Sequence, residues 1–70
     1  MTLKEADNVA KKRLPVVFDD GLHEHAEYTR ITEIGYRYDD SGTAHPFVQL
    51  LGRSNNSVTY ADPAHCSLIN

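Results

Sequence analysis

The sequence predicts a mainly β domain, an N-terminal helix over about residues 3–13 followed by a small antiparallel sheet of five short strands. Three observations carry this. Apolar residues recur at helical spacing only as far as Leu14, Pro15 then breaks the pattern, and from Val16 onward β-branched and aromatic runs alternate with turns rich in Asp, Gly and Asn. Seventy residues make one domain, so the helix, 1–14, and the sheet, 15–70, must share a single core.

Thr2-Leu3-Lys4-Glu5 reads as a capping box, with the Thr2 hydroxyl accepting from the Glu5 amide and the Glu5 carboxylate reaching back to the Thr2 amide. Leu3, Ala6, Val9, Ala10 and Leu14 then form one narrow apolar stripe, and Pro15 stops the helix. A helix of about three turns is marginal alone and must pack on the sheet.

Val16-Val17-Phe18 is the first strand, ended by the turn residues Asp19-Asp20-Gly21. Residues 22–27 are polar and read as a loop or the frayed start of a second strand. Tyr28 to Tyr38 is one long strand whose apolar residues change parity, since Ile31 is odd while Tyr28, Ile34, Tyr36 and Tyr38 are even. A bulge or bend near Thr32-Glu33, or at Gly35, absorbs the change and lets one strand serve two faces of a curved sheet. Asp39-Asp40-Ser41-Gly42 is a hairpin turn, Pro46–Leu51 the third strand, Ser54–Ser57 a turn and Val58–Tyr60 the fourth strand. Pro63 opens a 3₁₀ turn, and Ser67-Leu68-Ile69 closes the sheet as a fifth strand.

Five short strands with tight turns and one 3₁₀ interruption before the last resemble the SH3-like barrels, including the Tudor and KOW variants, over about residues 15–69. The resemblance is architectural, and closure would hide edges that an open sheet leaves exposed. The alternative architecture is an open antiparallel sheet with the helix across one face. The capped helix, the Ile-Thr-x-Ile-Gly-Tyr-Arg-Tyr strand and the closing Ser-Val-Thr-x-Ala-x-Pro are also similar to short uncharacterised proteins carried on mobile elements of Gram-positive bacteria. That likeness implies an accessory protein acting by contact with another macromolecule, and brings no chemistry with it.

Charge narrows the partners. The net charge is −3, but residues 1–13 carry four cations against two carboxylates, whereas 14–70 carry three against eight. Only Lys11-Lys12-Arg13 is dense enough to neutralise phosphates, so nucleic-acid binding through this run is the second functional reading, beside the simpler one of cations placed at a helix C-terminus. The single Cys66 allows no intramolecular disulfide, which points to a reducing compartment, the cytoplasm. The longest apolar run, Leu14–Phe18, is five residues including a proline, so neither a signal peptide nor a membrane span is expected.

No motif predicts catalysis or a cofactor. His23 and His25 at i, i+2, with Glu27 or His45 as a third group, fall short of the four Cys or His ligands usual for structural zinc, so no metal is expected. Cys66 beside His65 has the residue types of an activated thiol, yet a small Cys at this place reads as core filling under the 3₁₀ turn. Asp19-Asp20 and Asp39-Asp40 precede Gly and read as solvated turn carboxylates.

The aromatic residues are the strongest lead. Tyr28, Tyr36, Tyr38, Phe47 and Tyr60, together with Phe18, exceed what so small a core can enclose completely; the simpler reading keeps Tyr36 and Tyr60 in the core with their hydroxyls at the rim, and the functional one makes the tyrosines a contact surface. The expected function is non-enzymatic binding of another protein through Tyr36, Arg37, Tyr38, the acidic turn Asp39-Asp40, and Tyr60. Within that class, an acidic factor of phage or mobile-element origin would inhibit a host nucleic-acid-binding protein by placing carboxylates where phosphates sit, a role that anti-CRISPR inhibitors illustrate.

Overall fold

A computed structural model of the chain describes residues 1–22, 25–54 and 56–69. The described residues form one α-helix, α1 (Leu3–Lys11), and six strands: β1 (Val16–Asp19), β2 (His25–Tyr28), β3 (Arg30–Tyr38), β4 (Ala44–Leu51), β5 (Val58–Ala61) and β6 (Cys66–Leu68). The strands form two three-stranded antiparallel sheets, in the orders β2-β1-β6 and β3-β4-β5.

The helix begins with the expected capping box, Glu5 N donating to Thr2 Oγ1 at 3.1 Å and Thr2 N donating to Glu5 Oε1 at 2.9 Å. It ends at Lys11, two residues before the expected boundary. Lys12 is the C-cap, and Arg13 swings to φ +54°. The Arg13 amide then donates to Ala10 O at 3.1 Å and the Leu14 amide to Val9 O at 3.2 Å, the paired bonds of a Schellman turn. The chain is thus turned before Pro15, and Leu14 folds back onto the core.

The long strand is broken at Thr29, where β2 leaves the first sheet and β3 joins the second. The Thr29 amide already donates to Leu51 O at 2.9 Å. A bulge follows between Ile31 and Glu33, at the first of the two sites the parity change suggested. One nearly continuous run, 25–38, thereby serves both sheets. Residues 25–27, ambiguous in the sequence, are strand because His25, Ala26 and Glu27 pair with Asp19, Phe18 and Val17.

The fourth strand in chain order, β4, starts at Ala44, two residues before Pro46. Pro46 is tolerated because pairing with β5 begins only at Val48, so beside Pro46 the sheet has no third strand to satisfy. The last strand runs Cys66–Leu68, one residue earlier than its expected start, after a 3₁₀ turn at Pro63–His65 that Asp62 caps by accepting from the Ala64 amide at 2.9 Å.

Ala6 and Val9 of α1, Val16 of β1, Ile31 of β3, Val48 and Leu50 of β4, Ala61 of β5 and Cys66 of β6 form one buried cluster. The helix lies against β3 and closes this cluster, as its stripe requires. Among the described residues no ladder joins β5 to β6, so the strand pairing itself leaves two sheets. No described helix is long and apolar enough to cross a membrane.

Candidate functional site

The second sheet reaches past the core. Beyond Val48, β3 and β4 continue as a two-stranded arm closed by the turn 39–43. One face of this arm continues the core face: Ile34, Tyr36 and Tyr38 on β3 lie opposite Val48, Pro46 and Ala44 on β4. Along this strip burial falls from fully enclosed Val48 to Tyr36 at 56% and Tyr38 at 71% exposed. The same alternation that fills the core thus continues where no core is left, and it presents two phenol rings to water.

Arg37 points to the other face. Its guanidinium carbon lies 4.1 Å from the centroid of the Tyr60 ring and 5.1 Å from that of Phe47. Those rings meet edge to face at 5.6 Å. Tyr60 is further held by Gln49, whose Nε2 donates to the phenol oxygen at 3.0 Å, and Gln49 Oε1 in turn accepts from the bulged Thr32 hydroxyl at 2.9 Å. Gly35, opposite Phe47, leaves room for that ring, because a Cβ there would stand 3.0 Å from Phe47 Cε1. The expected grouping of Tyr36, Arg37, Tyr38 and Tyr60 is therefore divided, with Tyr36 and Tyr38 on one face and Arg37 with Tyr60 on the other.

Asp39 anchors the arm's turn. Its Oδ1 accepts from the Ser41 hydroxyl at 2.6 Å, the Ser41 amide at 2.9 Å and the Thr43 amide at 3.0 Å, and Oδ2 lies 2.8 Å from His45 Nε2. The Ser41 hydroxyl foremost, then His45 and the Thr43 amide, hold its carboxyl far below the usual range. A similar clamp closes the β1–β2 turn: Asp19 accepts from the Gly21 amide at 2.8 Å and meets His25 Nδ1 at 3.0 Å, with its acidity strengthened first by His25. Asp39 is therefore a structural anchor of the arm, while Asp40 is exposed in the turn beside it.

The remaining candidates lie elsewhere. Lys11, Lys12 and Arg13 are exposed at the end of α1, where Lys11 pairs with Asp7 at 2.9 Å. His23 and Glu24 lie outside the described residues. His25 is engaged by Asp19 and His45 by Asp39, and among the described residues no three His, Cys, Asp or Glu side chains form a metal-sized group. Cys66 is 4% exposed with Sγ 3.7 Å from Asp62 O, and burial pushes its thiol up from the ordinary value. His65 turns instead toward Phe18, with ring centroids 6.2 Å apart.

Gln49 had no role in the sequence, Thr32 entered only as a bulge site, and Phe47 only as an aromatic without a role. Counting back from the expected four-residue turn 39–42 pairs Arg37 with Ala44 and Ile34 with Phe47, one residue off; the turn runs 39–43, which sets Arg37 opposite His45 and Gly35 opposite Phe47 and so puts Phe47 on the Arg37 face. The bulge at Thr32 had a signal in the parity change, but the Thr32 hydroxyl's contact with Gln49 did not, because it depends on the β3–β4 register. Comparison with protein-family models, with curated proteins and with solved structures finds no match.

Proposed function

We propose that this chain is a non-enzymatic protein-binding module whose contact surface is the core-side face of the β3–β4 arm. The observation that carries the reading is the exposure of Tyr36 and Tyr38 on a hairpin that the Asp39 network holds in one shape. Rigid phenols offer large contact area at small entropic cost, with a hydroxyl for a directional bond. Pro46 and Ala44 across the ladder keep the strip apolar without a long flexible side chain.

The strand order supports a finer reading of the fold. One run feeds β2 into the first sheet and β3 into the second, and the 3₁₀ turn returns β6 to β1, the connectivity of a five-stranded SH3-like barrel in which the run 25–38 counts as one strand. Under this reading the arm is the projecting end of the central hairpin. The excess of carboxylates in 14–70 further favours a basic partner surface, such as that of a host nucleic-acid-binding protein inhibited by a phage or mobile-element factor in the cytoplasm.

Affinity capture with the wild-type chain and two double variants tests the surface. Tyr36→Ala/Tyr38→Ala should lose the partner, each truncation costing about 1–2 kcal/mol of binding, with little change in thermal midpoint because neither ring is in the core. Lys11→Ala/Lys12→Ala should retain it. Retention by the tyrosine variant would remove the assignment. Loss by the lysine variant, with nucleic acid co-purifying in a salt-dependent manner, would establish the basic helix end as the binding site instead.

A further inference from the structure

The opposite face of the arm carries a second feature that the tyrosine surface does not use. Arg37 is the only guanidinium among the described residues that is held by aromatic rings, and no described carboxylate lies within ion-pair distance of it. By contrast, Arg53 is paired with Glu27 at 2.7 Å. A guanidinium held over a ring through its π face keeps its N–H donors, a fixed fork, free for a further partner, and Arg37 is exposed on this face. That fork matches the two oxygens of a carboxylate.

Several otherwise unrelated residues converge on this arrangement. Gly35 gives Phe47 its place, the bulge aims the Thr32 hydroxyl at Gln49, Gln49 fixes the Tyr60 phenol, and Phe47 and Tyr60 together hold Arg37. A lysine or arginine that merely keeps a surface wet needs none of this. Preorganisation removes most of the rotamer entropy that a long side chain would otherwise lose on binding.

We infer that Arg37, on its Phe47–Tyr60 platform, is a binding site for a carboxylate of a protein partner, an Asp or Glu side chain or a chain terminus. The site goes beyond the tyrosine surface and lies on the other side of the same ladder, so the two fail independently. Along the arm His45 stands opposite Arg37, and the carboxylate of Asp39, two residues on, is already engaged by His45 and the turn donors. Asp39 therefore leaves the guanidinium available to an incoming acid.

The test is an NMR titration of the full chain that follows the Arg37 side-chain Nε–Hε resonance. The probes are a blocked tripeptide with a central Glu, its Gln counterpart, and inorganic phosphate. The Glu peptide should shift this resonance saturably and the Gln peptide should not. Arg37→Lys, which keeps the charge but loses the fork and the flat stacking face, should weaken the Glu peptide at least about tenfold, followed through the His45 and Tyr60 signals. Tyr36→Ala/Tyr38→Ala should leave the affinity unchanged. No saturable shift with the Glu peptide, equal shifts with the Gln peptide, tighter binding of phosphate than of the Glu peptide, or full affinity in Arg37→Lys would each overturn the assignment.

Discussion

Asp39 does more than favour a turn. One carboxylate gathers two amides, a hydroxyl and an imidazole, and so ties the arm's turn to the β4 residue opposite Arg37. Because these donors lower its folded pKa, its stabilisation is complete above the ordinary carboxyl value of 3.8 and is lost as pH falls through the depressed folded value. Exchange protection of the Ser41 and Thr43 amides should accordingly persist at 3.8 and disappear only at more acid pH, while Asp39→Asn should show weaker protection throughout and a flatter acid profile. Wild-type protection lost before the pH reaches 3.8 would contradict the network. At Cys66 the expected outcome is slow labelling by a thiol reagent under native conditions, rising to the ordinary rate in denaturant, because the thiol is both covered and weakly acidic.

Among the elements, α1 shows what local chemistry encodes. The capping box was legible in Thr2 and Glu5, and the apolar stripe in Ala6 and Val9. Its end was not, since Arg13 is a poor residue for φ +54° and nothing short of the Leu14 and Arg13 amide bonds selects that conformation. Replacing it tests the cap: a non-glycine residue in the left-handed region costs about 1–2 kcal/mol, part of which glycine returns through unfolded-state entropy, so Arg13→Gly should stabilise the fold by about 0.5 kcal/mol. A urea titration that shows a lower midpoint at unchanged slope would contradict it. In β3 the parity change between Ile31 and Ile34 announced a bulge, and the structure has one there. The break at Thr29 carried no such signal, because it arises from two different strands competing for the same run, a tertiary effect. For the same reason the β2 pairing was hidden: polar His25 and Glu27 become strand only because Asp19 and Val17 lie beside them.

For the molecule as a whole, eight small and medium apolar side chains among the described residues, drawn from α1 and every strand but β2, make the core. At roughly 0.05–0.15 kcal/mol per residue, a chain of 70 residues has a stability on the order of 4–10 kcal/mol. Ile31 is fully enclosed where the helix crosses β3, and Ile31→Ala should cost about 2–5 kcal/mol, enough to leave a large fraction unfolded at moderate urea. A loss below about 1 kcal/mol would mean that the helix does not close the core over β3. The mainly β class and a surplus of rings over core size were readable because Pro15, the turn residues and the aromatic count are properties of composition and order; which rings are exposed was not, since Tyr36 and Tyr60 read equally as core residues with hydroxyls at the rim, and the structure leaves them 56% and 48% exposed. The division of the site between two faces was readable only in part: Arg37 has the opposite parity to Tyr36 and Tyr38, but its union with Phe47 and Tyr60 depends on the register of three strands.

If the β3–β4 arm is the contact surface, Tyr36 and Tyr38, open in the unbound chain, are covered in the complex. Nitration of tyrosines, read by mass spectrometry on the isolated chain and on the purified complex with its captured partner, measures this directly. Tyr36 and Tyr38 should react readily alone and be protected in the complex, with half-buried Tyr28 slow in both. Equal reactivity of Tyr36 and Tyr38 with and without the partner would contradict it.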